Sequence, residues 1–151
     1  MVAFKNILVP TDGSECAREA VRVAAEMAQA FSARLAIVYF FEPFKYALPE
    51  GYVVYTPDQM NRMLAEFEAM VRDAETRARE AGATSVDTHV LQGVPASGIG
   101  EYAEREGFDL IVMGSHGRTG LGRALMGSIA EKVVRTAHCP VLTVKARDAK
   151  A

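Results

Sequence analysis

The chain has 151 residues, of which 50% are hydrophobic and 24% are charged, as in a soluble globular protein with a single domain over residues 1–151. The net charge of −2 and the pI near 5.9 argue against a protein that binds nucleic acid by broad neutralisation of phosphates. Cys16 and Cys139 have no metal-ligand spacing and are predicted to be reduced thiols. The first apolar run is too short for a signal-peptide core or a membrane span, so a cytoplasmic protein is expected.

The first predicted elements are a strand, a helix and a second strand. The aliphatic residues of "FKNILVP" precede the turn-forming "PTDGS" and predict a buried strand. Ser14 is predicted to cap a helix that runs to about Phe31. Its expected apolar face consists of Ala17, Val21, Ala24, Ala28 and Phe31. "RLAIVYFF", residues 34–41, is apolar throughout, which is typical of a strand covered on both faces.

The segment "EPFKYALPEGYVVYTP" is predicted to be irregular because prolines and glycine interrupt any pattern. Thr56 to Gln59 has the form of a capping box, with Pro57 at the first helical position. A long helix is predicted to follow and to end at Gly82. Its expected buried stripe consists of Met60, Met63, Leu64, Phe67, Val71, Ala74, Ala78 and Ala81.

The second half of the chain is predicted to contain three strands and two helices. In "SVDTHVLQG" apolar and polar residues alternate, which favours an edge strand. A short helix is expected from Pro95 to Gly107, and "DLIVM", residues 109–113, follows as a buried fourth strand. "PVLTVKA" is the fifth strand. The helix before it is predicted to begin at Ser128 and to turn inward Ile129, Val133 and Val134.

Strands that alternate with helices predict a parallel sheet with right-handed crossovers, hence a doubly wound α/β sandwich. Ligands bind such sheets beyond the carboxyl ends of the strands, where the strand order reverses. The first and fourth strands are the most continuously apolar and are expected to be central. The loops that leave them, "PTDGS" and "GSHGRTGLGRALMGS", are therefore expected to meet.

The second of these loops has glycines and arginines but no acidic residue. Glycine lets backbone N–H groups face an anion, and a helix that begins at the end of the loop adds partial positive charge. The loop has neither the lysine of G-x-x-x-x-G-K-[ST] nor the third glycine of G-x-G-x-x-G. The spacing that fits is Gly114-x-x-Gly117, nine residues, then Gly127-Ser128.

This spacing, G-x-x-G-x9-G-[ST] after a hydrophobic strand, resembles the nucleotide-binding signature of the ATP-binding universal stress proteins. The resemblance covers nearly the whole chain, through "ILVPTDGSECA", "GVPASGI" and "DLIVMGSHGRTGLGRALMGSIAEKVVRTAHCPVLTVK". It implies a three-layer α/β sandwich with a five-stranded parallel sheet in the order 3-2-1-4-5, which is the adenine nucleotide alpha hydrolase-like fold. It also implies a homodimer and ATP as the ligand, with Mg²⁺ held through the phosphates.

The resemblance also implies the residues of the nucleotide site. They are Pro10, Thr11, Asp12, Val38, Met113, Gly114, Gly117, Arg118, Gly127, Ser128 and Ile129. Asp12 would lie near the ribose or a phosphate-bound cation, although an aspartate here also forms turns with its own backbone. Val38 would contact adenine. It is also expected to be a core valine, and the two roles are compatible. Ser128 would bind the polyphosphate, yet Ser128 to Glu131 is also a capping box that needs no ligand.

Two other side chains of the loop are ambiguous. Arg118 would neutralise phosphate charge, although loop arginines are commonly only solvated. His116 has no evident nucleophile with an orienting acid nearby, so a backbone role is predicted for it.

The favoured function is an ATP-binding regulatory or stress-response protein with at most slow hydrolysis, because no basic finger and no base that would position water is evident. One alternative is an ATP-dependent adenylating or pyrophosphatase enzyme, whose "SGGxDS"-like loop is replaced here by "TDGSEC". Another is a dimeric adaptor without nucleotide. Dimerisation is predicted through "PVLTVKA", whose apolar edge would otherwise be exposed. Neither nucleic acid nor a membrane is an expected partner.

Overall fold

The computed structural model of the protein describes residues 2–42, 47–48, 51–52, 55–116 and 126–146. The strands are β1 (Asn6–Pro10), β2 (Arg34–Phe41), β3 (Ala47–Leu48), β4 (Gly51–Tyr52), β5 (Val86–Gln92), β6 (Leu110–Gly114) and β7 (Val141–Val144). The helices are α1 (Glu15–Phe31), α2 (Pro57–Glu80), α3 (Pro95–Arg105) and α4 (Ser128–Thr136). Within the described ranges, no helix is both long and apolar enough to cross a membrane.

The main sheet has five parallel strands in the order β5-β2-β1-β6-β7. Counted along the five strands, this is the predicted order 3-2-1-4-5, with β1 and β6 inside and β5 at an edge. The remaining strands, β3 and β4, form a separate antiparallel pair in which Ala47 lies opposite Tyr52. That pair corrects the prediction of an irregular segment after β2. Each of its strands has two residues, which is too short for apolar alternation to reveal it.

Each face of the main sheet carries its own core. Ile7 and Val9 of β1 belong to a cluster with buried alanines of α1 and α2. Leu8, between them, belongs to a second cluster with residues of α3 and α4. Since successive side chains of a strand point to opposite faces, α1 and α2 cover one face and α3 and α4 cover the other. The helices therefore form the two outer layers of the sandwich.

A carboxylate fixes the two central strands next to each other at their amino ends. The Asp109 carboxylate accepts hydrogen bonds from the backbone N–H groups of Lys5 and Asn6, at 2.9 Å and 3.1 Å. The Asp109 N–H in turn donates to the Asn6 carbonyl oxygen at 3.0 Å. These contacts set β1 beside β6 before the strands run toward the opposite edge of the sheet.

The predicted ends of α1 and α2 are confirmed. The Ser14 side chain accepts a hydrogen bond from the Ala17 N–H at 3.3 Å, and α1 ends at Phe31. Thr56 and Gln59 form the reciprocal capping box at the start of α2. Gly82 follows Ala81, the C-cap residue of α2, and has a φ of +113°, where glycine avoids the strain of a side chain.

The predicted buried faces of α1 and α2 need correction at their ends. Phe31 is 38% exposed, and its ring packs edge-on against Phe4. In α2, Val71, Ala74 and Ala78 are buried. The other residues of the predicted stripe, Met60, Met63, Leu64, Phe67 and Ala81, are only half-buried.

The helix α4 begins at Ser128 as predicted, but its cap differs from the prediction. Gly127 is the N-cap residue and Ser128 is the first helical residue, so the predicted capping box at Ser128 does not form. Ile129 and Val134, predicted to point inward, are 40% and 46% exposed. The buried residues are Ala130 and Val133. At 100° per residue these two share one face, and Ile129 and Val134 fall on either side of it.

Candidate functional site

The carboxyl ends of β1 and β6 lie side by side at one edge of the sheet. The two strands run parallel, with Leu8 opposite Ile111. The loop that follows β1 therefore begins next to the glycine-rich loop that follows β6. This is the meeting of loops that the sequence predicts, and it lies where the strand order reverses.

The loop after β1 is held by its own side chains. The N–H of Thr11, a buried residue, donates to the Val38 carbonyl oxygen at 2.8 Å and so ties this loop to β2. The Thr11 hydroxyl oxygen accepts from the Gly13 N–H at 3.2 Å, and the Asp12 carboxylate accepts from the Ser14 N–H at 2.9 Å. Asp12 therefore makes the turn contact that was one of its two predicted roles. Together with the Ser14 cap, these bonds occupy donors at the start of α1.

Gly114, the last residue of β6, packs directly against the first turn of α1. A Cβ at this position would lie 2.8 Å from the Cys16 Cβ and 2.9 Å from the Cys16 carbonyl carbon. Contacts this short would force backbone to move. Glycine is thus required here by packing, whether or not a ligand also approaches.

Ser115 joins the two ends of the glycine-rich loop. Its carbonyl oxygen accepts a hydrogen bond from the Gly127 N–H at 2.7 Å, and its own N–H donates to the Val144 carbonyl oxygen at 2.8 Å. Ser115 is buried, and its hydroxyl lies 3.0 Å from Nδ1 of His116. The structure thereby brings Gly114 and Gly127, the outer parts of the signature, to one place. Gly117 and Arg118 lie outside the described residues.

The N-terminus of α4 is open. Its N-cap residue, Gly127, has no side chain with which to accept a hydrogen bond. In the part of the chain that the structure describes, the N–H groups of Ser128, Ile129 and Ala130 have no acceptor. The Ser128 side chain is exposed beside them. These donors and the helix dipole favour an anion at this position.

Val38 and Met113 are core residues in the structure. They are 0% and 5% exposed, and both belong to the apolar cluster beneath α3 and α4. Pro10, which lies opposite Val38 in the register of β1 and β2, is half-buried. The side chains of Val38 and Met113 therefore support β2 and β6 from the face of the sheet that α3 and α4 cover.

A groove of about 460 Å³ lies between α1 and α2 and reaches the loop after β1 at Thr11 and Gly13. Phe67 and Met70 contribute apolar surface to it, and Arg18 is among its charged residues. It is on the face of the sheet opposite α4. No feature of the sequence predicts this groove, because its charged lining residues have the same pattern as a solvated helix face.

His116 is the other feature that the sequence analysis missed. Its Nε2 atom is buried and has no hydrogen-bond partner among the described residues. No spacing or neighbour in the sequence signals this, since it depends on how the ring packs. The described residues also hold no cluster of three or more His, Cys, Asp or Glu side chains able to bind a metal ion.

An α/β sandwich with this strand order, whose central loops meet at one edge, has the adenine nucleotide alpha hydrolase-like fold. The family model for the universal stress protein family matches residues 3–145, and the chain belongs to that family. Over 145 residues it is 40% identical to universal stress protein MJ0531 of Methanocaldococcus jannaschii, an alignment that covers 94% of this chain and 82% of that protein.

Two solved structures show the same architecture. The crystal structure of a universal stress protein in complex with cAMP is 29% identical, with a TM-score of 0.75 and coverage of 97% of this chain and 100% of that chain. Universal stress protein UspA from Lactobacillus plantarum is 28% identical, with a TM-score of 0.78 and coverage of 95% and 99%.

Proposed function

We propose that this universal stress protein binds an adenine nucleotide where β1, β6 and α4 meet, and that it acts as a cytoplasmic regulatory protein. The observation that carries the proposal is the open N-terminus of α4, which the 2.7 Å bond between Gly127 and Ser115 holds against the end of β6. The phosphates would accept hydrogen bonds from the first N–H groups of α4. ATP is the proposed ligand, with Mg²⁺ held through its phosphates.

The contrast between α1 and α4 supports this placement of the phosphates. At the start of α1, Asp12 and Ser14 accept hydrogen bonds from the backbone, so the protein itself occupies donors there. At the start of α4, the N-cap is glycine and the Ser128 hydroxyl points to no acceptor or donor in the described part of the chain. Among the described residues, α1 therefore has an acceptor from its own cap for the Ala17 N–H, whereas the α4 cap supplies none for its first turn.

The nucleoside would lie between the α4 terminus and the loop after β1. Pro10 and Thr11 would form its wall, and Asp12 would lie near the ribose or the cation, as the family signature implies. A relative 29% identical to this chain has been crystallised with cAMP, an adenine nucleotide with one phosphate, which supports the choice of base.

Hydrolysis of the bound nucleotide is proposed to be slow. A fast reaction needs a group that positions water and a cation that stabilises the transition state. Asp12 is a carboxylate at this edge, and it accepts the hydrogen bond of its own turn.

Isothermal titration with ATP and MgCl₂ tests the proposal. We expect binding between micromolar and millimolar concentrations, and retained nucleotide in the mass spectrum of the purified protein. No heat of binding up to millimolar ATP would refute the function. Rapid release of pyrophosphate in the presence of metabolite pools would favour the adenylating enzyme instead.

A substitution in the groove between α1 and α2 tests where the nucleotide binds. A Met70→Arg substitution places a long charged side chain in the groove and far from α4. We expect ATP affinity to be unchanged in this variant. If binding is lost, the nucleotide occupies the groove and the proposed site is wrong.

A further inference from the structure

His116 carries the one buried side-chain nitrogen or oxygen atom that lacks a hydrogen-bond partner among the described residues, its Nε2. Buried polar atoms in proteins are almost always paired, so an unpaired one calls for an explanation such as a water or a ligand. The family signature does not require a histidine at this position, because His116 occupies one of its variable places. The other ring nitrogen, Nδ1, lies 3.0 Å from the Ser115 hydroxyl.

The contact with Ser115 favours the ring tautomer in which Nε2 is a donor. Ser115 is 3% exposed, and His116 Nδ1 is the polar partner of its hydroxyl in the described part of the chain. Hydrogen positions in this pair follow the tautomer of the ring, and a hydroxyl whose partner is Nδ1 is assigned as the donor to it. In the neutral ring the hydrogen must then be on Nε2, and a protonated ring carries one there as well. The unpaired atom is an N–H group that needs an acceptor.

The backbone that adjoins His116 leads to further unpaired donors. His116 follows Ser115, whose carbonyl oxygen is bonded to the N–H of Gly127, the residue before α4. The N–H groups of the first turn of α4 also have no acceptor in the described part of the chain. A site that contains several N–H donors without acceptors is complementary to a ligand group that is negatively charged and whose oxygens act only as acceptors.

We infer that His116 contacts the ligand directly, with Nε2–H donating to a phosphoryl oxygen seated at the N-terminus of α4. The inference rests on the proposed nucleotide site and assigns it a side chain that the family signature leaves open. Ser115 is a positioning residue in this arrangement, because its hydroxyl orients the ring without touching the phosphate.

Two substitutions separate the roles of the ring nitrogens. In His116→Gln the terminal amide nitrogen occupies nearly the position of Nε2, and in His116→Asn the amide reaches only the position of Nδ1. We expect His116→Asn to weaken binding of ATP and of inorganic pyrophosphate about tenfold, the loss of one charge-assisted hydrogen bond. Binding of adenosine should be unchanged, and His116→Gln should keep most of the affinity for ATP. The same two substitutions at His89, an exposed residue of β5, serve as controls and should change nothing.

The ligand series separates the possible failures. If the wild-type protein binds neither ATP nor pyrophosphate, the proposed function itself is wrong. If the wild type binds ATP and His116→Asn binds it equally well, only the inference about His116 is wrong. Equal losses for ATP and adenosine in both variants would show that the ring only supports the fold, and would also overturn the inference.

A measurement on the wild-type protein covers the case in which the variants do not fold. In ¹⁵N-histidine-labelled protein, we expect the Nε2 resonance of His116 to shift when ATP or pyrophosphate is added and to stay in place with adenosine. A resonance that responds to none of the three while ATP binds would refute the contact. A response to pyrophosphate alone would assign the site to free phosphates rather than to a nucleotide.

Discussion

The N–H of Gly127 donates to the carbonyl oxygen of Ser115 at 2.7 Å, which closes the glycine-rich loop at the point where it leaves β6 and enters α4. The position of the α4 terminus is therefore fixed by the sheet and needs no ligand to establish it. A phosphate that arrives there meets donors already in place, which limits the entropy lost on binding.

Gly127→Val is expected to abolish nucleotide binding without unfolding the protein. Gly127 has φ −63° and ψ 154°, a conformation open to any residue, so the backbone and its bond to Ser115 can persist. The isopropyl group would occupy space next to the first N–H groups of α4. Titration with ATP should show at least a hundredfold loss of affinity, roughly 3 kcal/mol. Near-normal ATP affinity in a folded variant would contradict the proposed phosphate position.

Gly122→Ala is the matched change within the same loop. This glycine falls outside the family spacing, and it lies outside the described residues. We expect ATP affinity to stay within about twofold of the wild type, a difference of less than 0.5 kcal/mol. A loss as large as that of Gly127→Val would show that the whole loop, rather than its signature positions, determines binding.

Gly114→Ala is expected to lower the free energy of unfolding by about 1–3 kcal/mol, the usual range for overpacking. The added Cβ would meet the Cys16 backbone at 2.9 Å and the Ala17 nitrogen at 3.0 Å, and neither can move without shifting α1. Gly100→Ala, in α3, is the control. Its nearest contact would be Ala137 Cα at 3.9 Å, so helix propensity should make it neutral or stabilising by up to about 1 kcal/mol. Urea denaturation of both variants measures the difference, and equal stabilities would refute the packing argument.

Alkaline conditions are expected to destabilise the protein through Tyr102. Burial raises the pKa of the Tyr102 hydroxyl, and the charges of Glu106 and Asp87 raise it further, while Arg34 and Arg105 lower it; the net effect is an increase. The folded state thus keeps this proton at pH values where the unfolded state has released it. The contribution of the protonated Tyr102 hydroxyl to the free energy of unfolding is complete below the ordinary tyrosine pKa of about 10. It is lost as the pH rises through the higher pKa of the folded state.

Tyr102→Phe tests this pH dependence because it keeps the ring that packs against Phe40 and Phe108. Urea denaturation between about pH 8 and pH 11 should show a shallower loss of stability in the variant than in the wild type. Burial also raises the pKa of the Cys139 thiol, so Cys139→Ala is measured alongside it to separate the two contributions. Parallel curves for wild type and Tyr102→Phe would contradict the expectation.

The free edge of β7 leads us to expect a homodimer. β7 is the last strand in the sheet order, and Leu142 on it is 38% exposed. Unpaired apolar edges are generally covered in proteins, and a second copy of β7 would cover this one. Light scattering should give twice the chain mass for the wild type and a lower mass for Leu142→Asp. Val2→Asp, at an exposed residue outside the sheet, is the control. A monomeric wild type at working concentration would refute the dimer.

Much of the fold followed from the sequence because its signals are local and strong. The apolar runs of β1, β2 and β6 marked buried strands, and their alternation with helices implied a parallel sheet. Ser14 and Thr56 fixed the starts of α1 and α2 because their capping bonds involve neighbours in the chain. The strand order came from the family resemblance, since it depends on contacts between distant segments.

The errors arose where tertiary packing decides between locally equal choices. In α4, which has nine residues, the pattern of aliphatic side chains allowed more than one inward face, and packing selected Ala130 and Val133. A serine at position 128 suits an N-cap and a first helical residue alike, and in the structure Gly127, whose N–H is bonded to Ser115, is the N-cap. His116 looked inert because burial of one ring nitrogen leaves no trace in sequence.

The contact between Ser115 and Gly127 also makes the intervening loop a natural place for engineering. Chain segments whose two ends lie within one hydrogen bond can be lengthened or replaced with little disturbance of the scaffold. A fluorescent domain inserted between Ser115 and Gly127 would enter and leave the protein at nearly the same point. Because that point adjoins the α4 terminus, such a fusion would serve as an optical reporter of anion occupancy.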